Sequence, residues 1–227
     1  MSKTFFVTGT DTDAGKTLIA CGLLAAAKRA GLSTAAVKPV AAGCEETSQG
    51  LRNEDALALL AQCTKPLAYE QVNPVALVPA IAPHIAAAQA GRELRVNRLL
   101  GLCRGVIYER ADLTLIEGAG GWRVPLNGVE TLADLARELN QPVILVVGMK
   151  LGCINHALLT FEAIVRDGLA VAGWVANTVQ ADMAVFEENL ASLQQRLPAP
   201  LLAVVPHLSR PDPEQVAGLF DLASLGL

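Results

Sequence analysis

The sequence predicts an α/β fold: a mostly parallel β-sheet with helices on both faces, in a single domain covering residues 1–227. Three observations carry this. Short apolar runs of β type alternate with helical patterns along the chain, the order of a parallel sheet with crossover helices. The strand runs are apolar at consecutive positions, as strands buried on both faces require. And 52% of the residues are hydrophobic while only 4% are aromatic, so small and aliphatic side chains fill the interior. A chain of 227 residues can bury roughly 70–75% of its unfolded surface, so no covalent staple is needed.

TFFVTG (4–9) is the first strand, and GKTLIACGLLAAAKRAG (15–31) reads as a helix stopped by Gly31. STAAVKPV (33–40) is the second strand. NEDALALLAQC (53–63) is a short helix opening on acids, which favour a helix N-terminus. Residues 64–92 are punctuated by proline and predicted irregular. ELRVNRLLGLCRGVIYERA (93–111) is helical and leads into the strand LTLIEGAGG (113–121). The helix TLADLAREL (131–139), the strand PVILVVG (142–148) and the helix INHALLTFEAIVRDG (154–168) come next. The strand AVAGWVANT (170–178), the helix DMAVFEENLASLQQRL (182–197), the strand PLLAVVP (200–206) and a helix from about Pro213 follow.

Net charge is −4 at pH 7 with acids and bases interspersed, so neither nucleic acid nor a polybasic membrane contact is expected. Five scattered cysteines, at 21, 44, 63, 103 and 153, make no CxxC pair and read as reduced thiols; Cys21 and Cys103 fall in helical patterns as packing residues. The longest uninterrupted apolar run, PVILVVGM, is far shorter than a membrane span, and the run before Gly9 is too short for a signal segment. A soluble, cytoplasmic protein is the expectation.

Ligands of a parallel sheet bind outside the carboxyl ends of its strands, so the polar residues ending the apolar runs are the functional candidates. They are Thr10–Thr17, Lys38, Glu117–Gly121, Lys150–Asn155, Asn177 and Pro206–His207. The first group carries a phosphate loop of the pattern G-x-x-x-x-G-K-[ST], with Thr10 at the first glycine position and Gly9 one residue too early. Gly15 lets the backbone approach a phosphate, and loop N–H groups at a helix N-terminus favour an anion. Lys16 would reach β- and γ-phosphate oxygens, and the Thr17 hydroxyl would help to hold Mg2+. The predicted fold is therefore P-loop NTPase-like. Glu117 ends a strand, where a carboxylate can face Mg2+ directly or through water, and Gly118, Gly120 and Gly121 leave room for backbone amides beside it. Asp55 stays open at this point, since it is equally a helix-start acid.

Together these residues resemble the dethiobiotin synthetase family, the ATP-dependent ring-closing enzymes of biotin biosynthesis. The resemblance lies in GTDTDAGKT, KPVAAG, GLRNEDALAL, IEGAGGW, PVILVVGMKLGCINHALLT, GWVAN and PAPLL, in order from residue 7 to about 208. KPV or EGAGG alone is weak; order and spacing, with LGCINHALLT, make the match specific. It implies a homodimer with active sites at the subunit interface, the substrates 7,8-diaminononanoate, CO2 and ATP, and Mg2+ as cofactor. In that family one amine takes up CO2 as a carbamate, which receives the γ-phosphoryl group. The second amine then attacks the mixed anhydride, closing a cyclic urea and releasing phosphate.

The resemblance also assigns roles. Lys16 and Lys38 are the implied catalytic cations, because an anionic carbamate must approach an anionic phosphate. Thr17, Asp55 and Glu117 are the implied Mg2+ ligands. Asp13, Ala14, Gly15, Lys16, Thr17 and Leu18, with Asp55, Glu117, Gly118, Ala119 and Gly120, would contact the nucleotide. Asn177 would match the adenine N6/N7 edge with its amide, joined by Thr178, Pro206, His207 and Leu208. Thr12, Lys38, Ala42 and Gly120 would meet the diamine or its carbamate. Gly152, Cys153, Ile154 and Asn155, at a helix start contributed by the partner subunit, would receive the substrate carboxylate. Cys153 then counts for its amide and small size, not its thiol. The side chains of His84, His156 and His207 are expected to be incidental, with His156 a first-turn surface residue, and Trp174 to be core. Trp122 is left between shaping the substrate chamber and covering the loop.

Two positions depart from the family pattern. Ala42 stands where the family has Ser, and Asn189 where some relatives carry Tyr near the partner's substrate carboxylate. A partitioning ATPase of the same fold would need a lysine five residues before Lys16, and that position is Asp11. A glutamine-dependent amidating ligase would call for a further glutaminase domain, and a nucleotide-binding paralogue without turnover is motivated by Ala42. Asp11 is expected to organise the turn through neighbouring N–H groups, and Asp13 to lie closer to metal, water or substrate amines.

Overall fold

The computed structural model describes residues 2–227. Its elements are β1 (Lys3–Gly9), α1 (Lys16–Arg29), β2 (Thr34–Val37), β3 (Val40–Ala42), β4 (Glu45–Thr47), β5 (Gly50–Arg52), α2 (Glu54–Ala61), α3 (Tyr69–Val72), β6 (Val75–Leu77) and α4 (Pro83–Gln89) in the first part. The remainder holds α5 (Val96–Ile107), β7 (Leu113–Glu117), α6 (Leu132–Leu139), β8 (Val143–Met149), α7 (Cys153–Arg166), β9 (Val171–Thr178), α8 (Phe186–Arg196), β10 (Leu201–Val205) and α9 (Pro213–Ala217). A 3-10 turn lies at Leu222–Leu225.

Six strands form one parallel sheet in the order β10-β9-β8-β1-β7-β2. β1 is interior, with Phe5 beside Leu115 of β7 and Val7 beside Ile144 of β8. From β1 the chain crosses to β2 at one edge, whereas β8, β9 and β10 build outward on the other side. The connections therefore diverge around the carboxyl end of β1, where a crevice must open.

Successive strand residues point to opposite faces, so a sheet covered on both sides needs apolar side chains at every position. Phe5 and Val7 enter one layer with Ile19, Leu23 and Leu24 of α1, Leu59 of α2 and Val216 of α9. Phe6, Ile116 and Leu145 enter the other, with Leu99 of α5, Leu135 of α6, Ile164 of α7 and Leu193 of α8. Each such aliphatic side chain contributes about 1.5–3 kcal/mol of burial. α1 is buried nearly all round because α9 covers its outer face. A Cβ at Gly22 would run into the Val216 side chain, so the missing side chain sets how closely α9 lies on α1.

The expected strand and helix order is present, with shifts that have physical reasons. Residues 64–92 are not irregular throughout: they hold α3, β6 and α4, and Pro83 occupies the first turn of α4, where its missing N–H costs nothing. β6 pairs with β3, and β4 with β5, in two small sheets whose three-residue strands are too short to show a period. α5 begins at Val96 rather than Glu93, because Arg95 is extended at the N-cap position. α8 begins at Phe186 rather than Asp182, after Val185 turns left-handed at φ 50.

Candidate active site

The loop from β1 to α1 is shaped by its backbone. Asp13 (φ 59) and Gly15 (φ 87) are left-handed, which turns the chain tightly before Lys16 opens the helix. A Cβ at Gly15 would collide with the Asn177 amide, whose Nδ2 donates to the Ala14 carbonyl at 2.9 Å. Asn177, buried at the end of β9, thus braces the loop from beneath in this structure, a contact the sequence did not signal. Thr10 Oγ1 accepts from the Gly148 N–H of β8 at 3.3 Å, which ties the loop to the next strand.

Asp11 organises the turn. Its Oδ1 accepts from the Thr12 N–H at 2.8 Å, and its carbonyl accepts from Lys16 Nζ at 3.1 Å. Its Oδ2 pairs with Lys150 Nζ at 3.3 Å, so the loop after β8 supplies a cation to the phosphate loop. Burial opposes ionisation of Asp11, but the hydrogen bonds from Lys150 and Thr12 outweigh it and hold the carboxyl below the usual range. Lys16 is buried, and burial holds its ammonium below the ordinary lysine value against the opposing pull of Glu117. Asp13 and Thr12 are exposed at the loop tip.

Lys38, Asp55 and Glu117 come from three separate segments and meet beside Thr17. Lys38 Nζ lies 2.7 Å from Asp55 Oδ2 and 2.5 Å from Glu117 Oε1. Thr17 Oγ1 donates to the same Glu117 oxygen at 2.7 Å. Lys38 is 5% exposed and Glu117 0%, whereas the Asp55 side chain is 48% exposed and faces the crevice. Burial alone would push the Lys38 ammonium down; Glu117 and Asp55 together push it up to about 12. Burial likewise opposes ionisation of Asp55, and Lys38 outweighs it, so this carboxyl sits below its ordinary value.

The second Glu117 oxygen, Oε2, is buried and has no hydrogen-bond partner. A buried carboxylate oxygen without a donor has the lone pairs and the charge that a cation would take up. No cluster of three or more His, Cys, Asp or Glu is present among the described residues. Mg2+ does not ask for one, since it keeps water and phosphate oxygens and uses one or two carboxylates. Thr17, Asp55 and Glu117 therefore fit Mg2+.

Around this centre the other expected residues fall at the same edge of the sheet. Gly118 to Gly120 lead away from β7, where a Cβ at Gly120 would meet Thr12 Oγ1 at 3.5 Å. Thr178, Pro206 and His207 line a pocket of 260 Å3 with Ala181, Met183, Phe186 and Val204. Leu208 instead packs against the α1 layer. Ala181, Met183, Phe186 and Val204 escaped sequence reasoning because ordinary apolar residues carry no signal of lining a cleft. Ala42 ends β3, half-buried. Gly152 (φ 94) opens α7, with Cys153 buried, Ile154 half-buried and Asn155 exposed. Neighbouring Leu151 is 94% exposed.

The remaining side chains resolve as follows. Trp122 is buried, packs edge-on to Phe6 and donates to Asp167 at 2.7 Å, so it is part of the α7-side core. Trp174 is core, as expected. His156 departs from its expected surface position: it is half-buried and its Nδ1 has no partner. Asn189 caps back within α8, donating to the Val185 carbonyl at 2.8 Å. Cys21 and Cys103 are buried thiols pushed up to about 12 by burial. No helix among the described residues is long and apolar enough to cross a membrane.

A parallel sheet with a phosphate loop after an interior strand, and a lysine set between two carboxylates beside the loop threonine, defines a P-loop nucleotide-binding protein. Solved structures agree at the level of fold: the MinC:MinD cell division protein complex of Aquifex aeolicus aligns with TM-score 0.58 at 14% identity, over 92% of this chain and 82% of that one. A ParA family ATPase of Chlorobium tepidum aligns with TM-score 0.56 at 11% identity, over 92% and 86%. Residues 3–215 match the family model described as an AAA domain. The chain belongs, more narrowly, to the dethiobiotin synthetase family. It is 66% identical to the ATP-dependent dethiobiotin synthetase BioD of Cellvibrio japonicus, over 98% of this chain and 97% of that protein. A Pseudomonas aeruginosa protein of the same name is 66% identical over 98% of both.

Proposed function

We propose that this chain is an ATP-dependent dethiobiotin synthetase, a cyclo-ligase that closes the ureido ring of dethiobiotin from 7,8-diaminononanoate, CO2 and ATP. The observation that carries the reading is the buried Lys38 ammonium, held between Asp55 and Glu117 one hydroxyl away from the phosphate loop. A phosphate-binding loop alone serves many reactions. A buried cation aimed at its phosphate end serves one in which a second anion must come close.

The reaction balances as follows. A substrate amine adds to CO2 and loses a proton, giving a carbamate. A carbamate oxygen attacks the γ-phosphorus and ADP leaves. The second amine attacks the carbonyl carbon of this mixed anhydride, expels phosphate and gives up a proton, which closes the ring. Lys16, turned from the Asp11 carbonyl, offsets charge on the transferring phosphoryl group. Lys38 carries the positive charge between the two carboxylates at rest, and turns to the anionic carbamate once they are neutralised otherwise. Thr17, Asp55 and Glu117 would hold Mg2+, which when bound supplies electrostatic stabilisation to the β- and γ-phosphates.

Asp13 to Leu18, with Gly118, Ala119 and Gly120, would cradle the phosphates, and the pocket at Thr178, Pro206 and His207 would take the adenine. Asn177 would turn its free Oδ1 toward that ring, and Leu208 would support the adenine side from behind. Thr12, Ala42 and Gly120 would face the diamine. Gly152 to Asn155 would bind its carboxylate from a partner subunit, in a homodimer that acts in the cytoplasm; the exposure of Leu151 beside that turn suits such an interface. Residues 1–227 act as one domain.

The test is phosphate release with ATP, Mg2+, bicarbonate and 7,8-diaminononanoate, omitting each component in turn. Release is expected only with all four present. Turnover indifferent to the diamine would sink the assignment.

A further inference from the structure

The ion pair at Lys38 is one segment of a closed ring. The rest is a buried polar chain that the reaction chemistry does not require. Asn73, at the end of α3, donates through Nδ2 to the Lys38 carbonyl at 2.9 Å and to the Val75 carbonyl at 3.3 Å. Its Oδ1 accepts from the Tyr69 hydroxyl at 3.2 Å. That hydroxyl accepts in turn from the Asn53 N–H at 2.8 Å. Asn53 caps α2, taking the Ala56 N–H on Oδ1 at 3.2 Å, and sends Nδ2 to the Ala42 carbonyl at 3.3 Å. Two residues beyond that cap, Asp55 returns to Lys38 Nζ and completes the ring.

Asn53, Tyr69 and Asn73 are all buried. Every side-chain polar atom of the three has a partner in the ring or at its edge, as a buried network requires. The Arg52 guanidinium lies 4.1 Å above the Tyr69 ring centre and clamps its orientation. Lys38 is thus held at both ends: the carbonyl through Asn73, the ammonium through Asp55. The elements that carry Lys38, Ala42 and Asp55 share no strand pairing with one another, and the ring joins them.

We propose that Tyr69 and Asn73 are positioning residues for the ring-closing reaction, fixing the Lys38 ammonium relative to Asp55 and to the β3 end that carries Ala42. They touch neither the phosphate loop nor the adenine pocket. Their loss therefore acts on the Lys38–Asp55 geometry and leaves the phosphate-loop and adenine contacts of the metal-free nucleotide in place. This rests on the synthetase assignment, and the wild-type protein measured alongside separates the two: absent diamine-dependent turnover there sinks the assignment, not the ring.

The experiment compares Tyr69→Phe, Asn73→Leu and the double variant by steady-state kinetics, by calorimetric titration with ADP in the absence of Mg2+ and by urea unfolding. Tyr69→Phe removes one hydroxyl and keeps the ring under Arg52. We expect kcat to fall between about tenfold and a hundredfold, as misplacement of a reacting group does. The Kd for ADP without Mg2+, which does not depend on Asp55 as a metal ligand, should stay within about twofold of wild type. The double variant should be no worse than the more impaired single one, because both break the same ring. Unchanged kcat with lowered stability would make the network merely structural and overturn the proposal. So would nucleotide affinity falling in step with kcat, or effects that multiply. Should Asn73→Leu not fold, the pattern of kcat against nucleotide Kd in Tyr69→Phe decides by itself.

Discussion

Lys38→Met exposes the electrostatics of the site in one substitution. The two side chains are close in volume, but the variant strips the ammonium from between Asp55 and Glu117. Two magnitudes bracket the cost. The Lys38 pKa stands at about 12 against an ordinary 10.5, which corresponds to about 2 kcal/mol of preference for the charged form in the fold. Removing one member of a buried pair costs about 3–5 kcal/mol, because the other charge is stranded. Water takes over around the half-exposed Asp55, so the stranded charge that matters is Glu117. We expect Lys38→Met to lose about 2–4 kcal/mol in urea unfolding at neutral pH without nucleotide or Mg2+, at unchanged m-value. Adding Glu117→Gln should return most of that loss, since no buried charge is then left unpaired and the half-exposed Asp55 is solvated, although the double variant closes no ring. The pH course follows from the directions of the shifts. The Lys38 contribution is whole below about 10.5 and fades as pH rises through about 12. That of Asp55 is present above its ordinary 3.8 and fades as acid protonates it below that value. The stability difference between wild type and double variant should therefore be level from about pH 6 to 9. A single variant within about 0.5 kcal/mol of wild type, or a double variant no more stable than the single one, would refute the reasoning.

Gly15→Ala forces a Cβ into a left-handed position and against Asn177, breaking the brace on Ala14. About 1–2 kcal/mol of strain and about 1 kcal/mol of hydrogen bonding should be lost, with ATP binding, in thermal unfolding and titration; wild-type stability would count against the loop geometry. Phe186→Ala should weaken ATP about tenfold by opening the pocket at Pro206 and His207, while inorganic tripolyphosphate competes as before. Equal loss for both ligands would place the adenine elsewhere. Cys21 and Cys103, pushed up to about 12, and Cys63, pushed up to about 11, should resist Ellman's reagent at pH 8 in the native protein and react in urea. Rapid native labelling of any of the three would contradict these raised thiols.

The phosphate loop was legible in the chain because its chemistry is local. Gly15, Lys16 and Thr17 are consecutive, and the loop needs only a strand before and a helix after. Glu117 was legible for a similar reason, as the one carboxylate ending an apolar strand. Asp55 was not legible from its spacing, for an acid at a helix start has a sufficient local explanation, and only the family resemblance singled it out; its contact with Lys38, 17 positions away, at 2.7 Å is made by the tertiary fold. The proline-rich segment read as irregular because α3 and β6 are only four and three residues long. It nonetheless carries the buried hydroxyl and amide behind Lys38.

The sequence by itself determined the layers, the edge of the sheet that carries the phosphate loop, and the family, since period, strand-end polarity and ordered motifs are all properties of neighbours along the chain. Tertiary structure decided which distant groups share a charge. It set Asp11 against Lys150, Asn177 under Ala14, and Lys38 between Asp55 and Glu117. The distances are of angstrom scale, and where the partners are buried, as Lys38 and Glu117 are, one changes the energy of the other by several kcal/mol. Spacing in a sequence does not encode those distances; only the packed sheet and helices do.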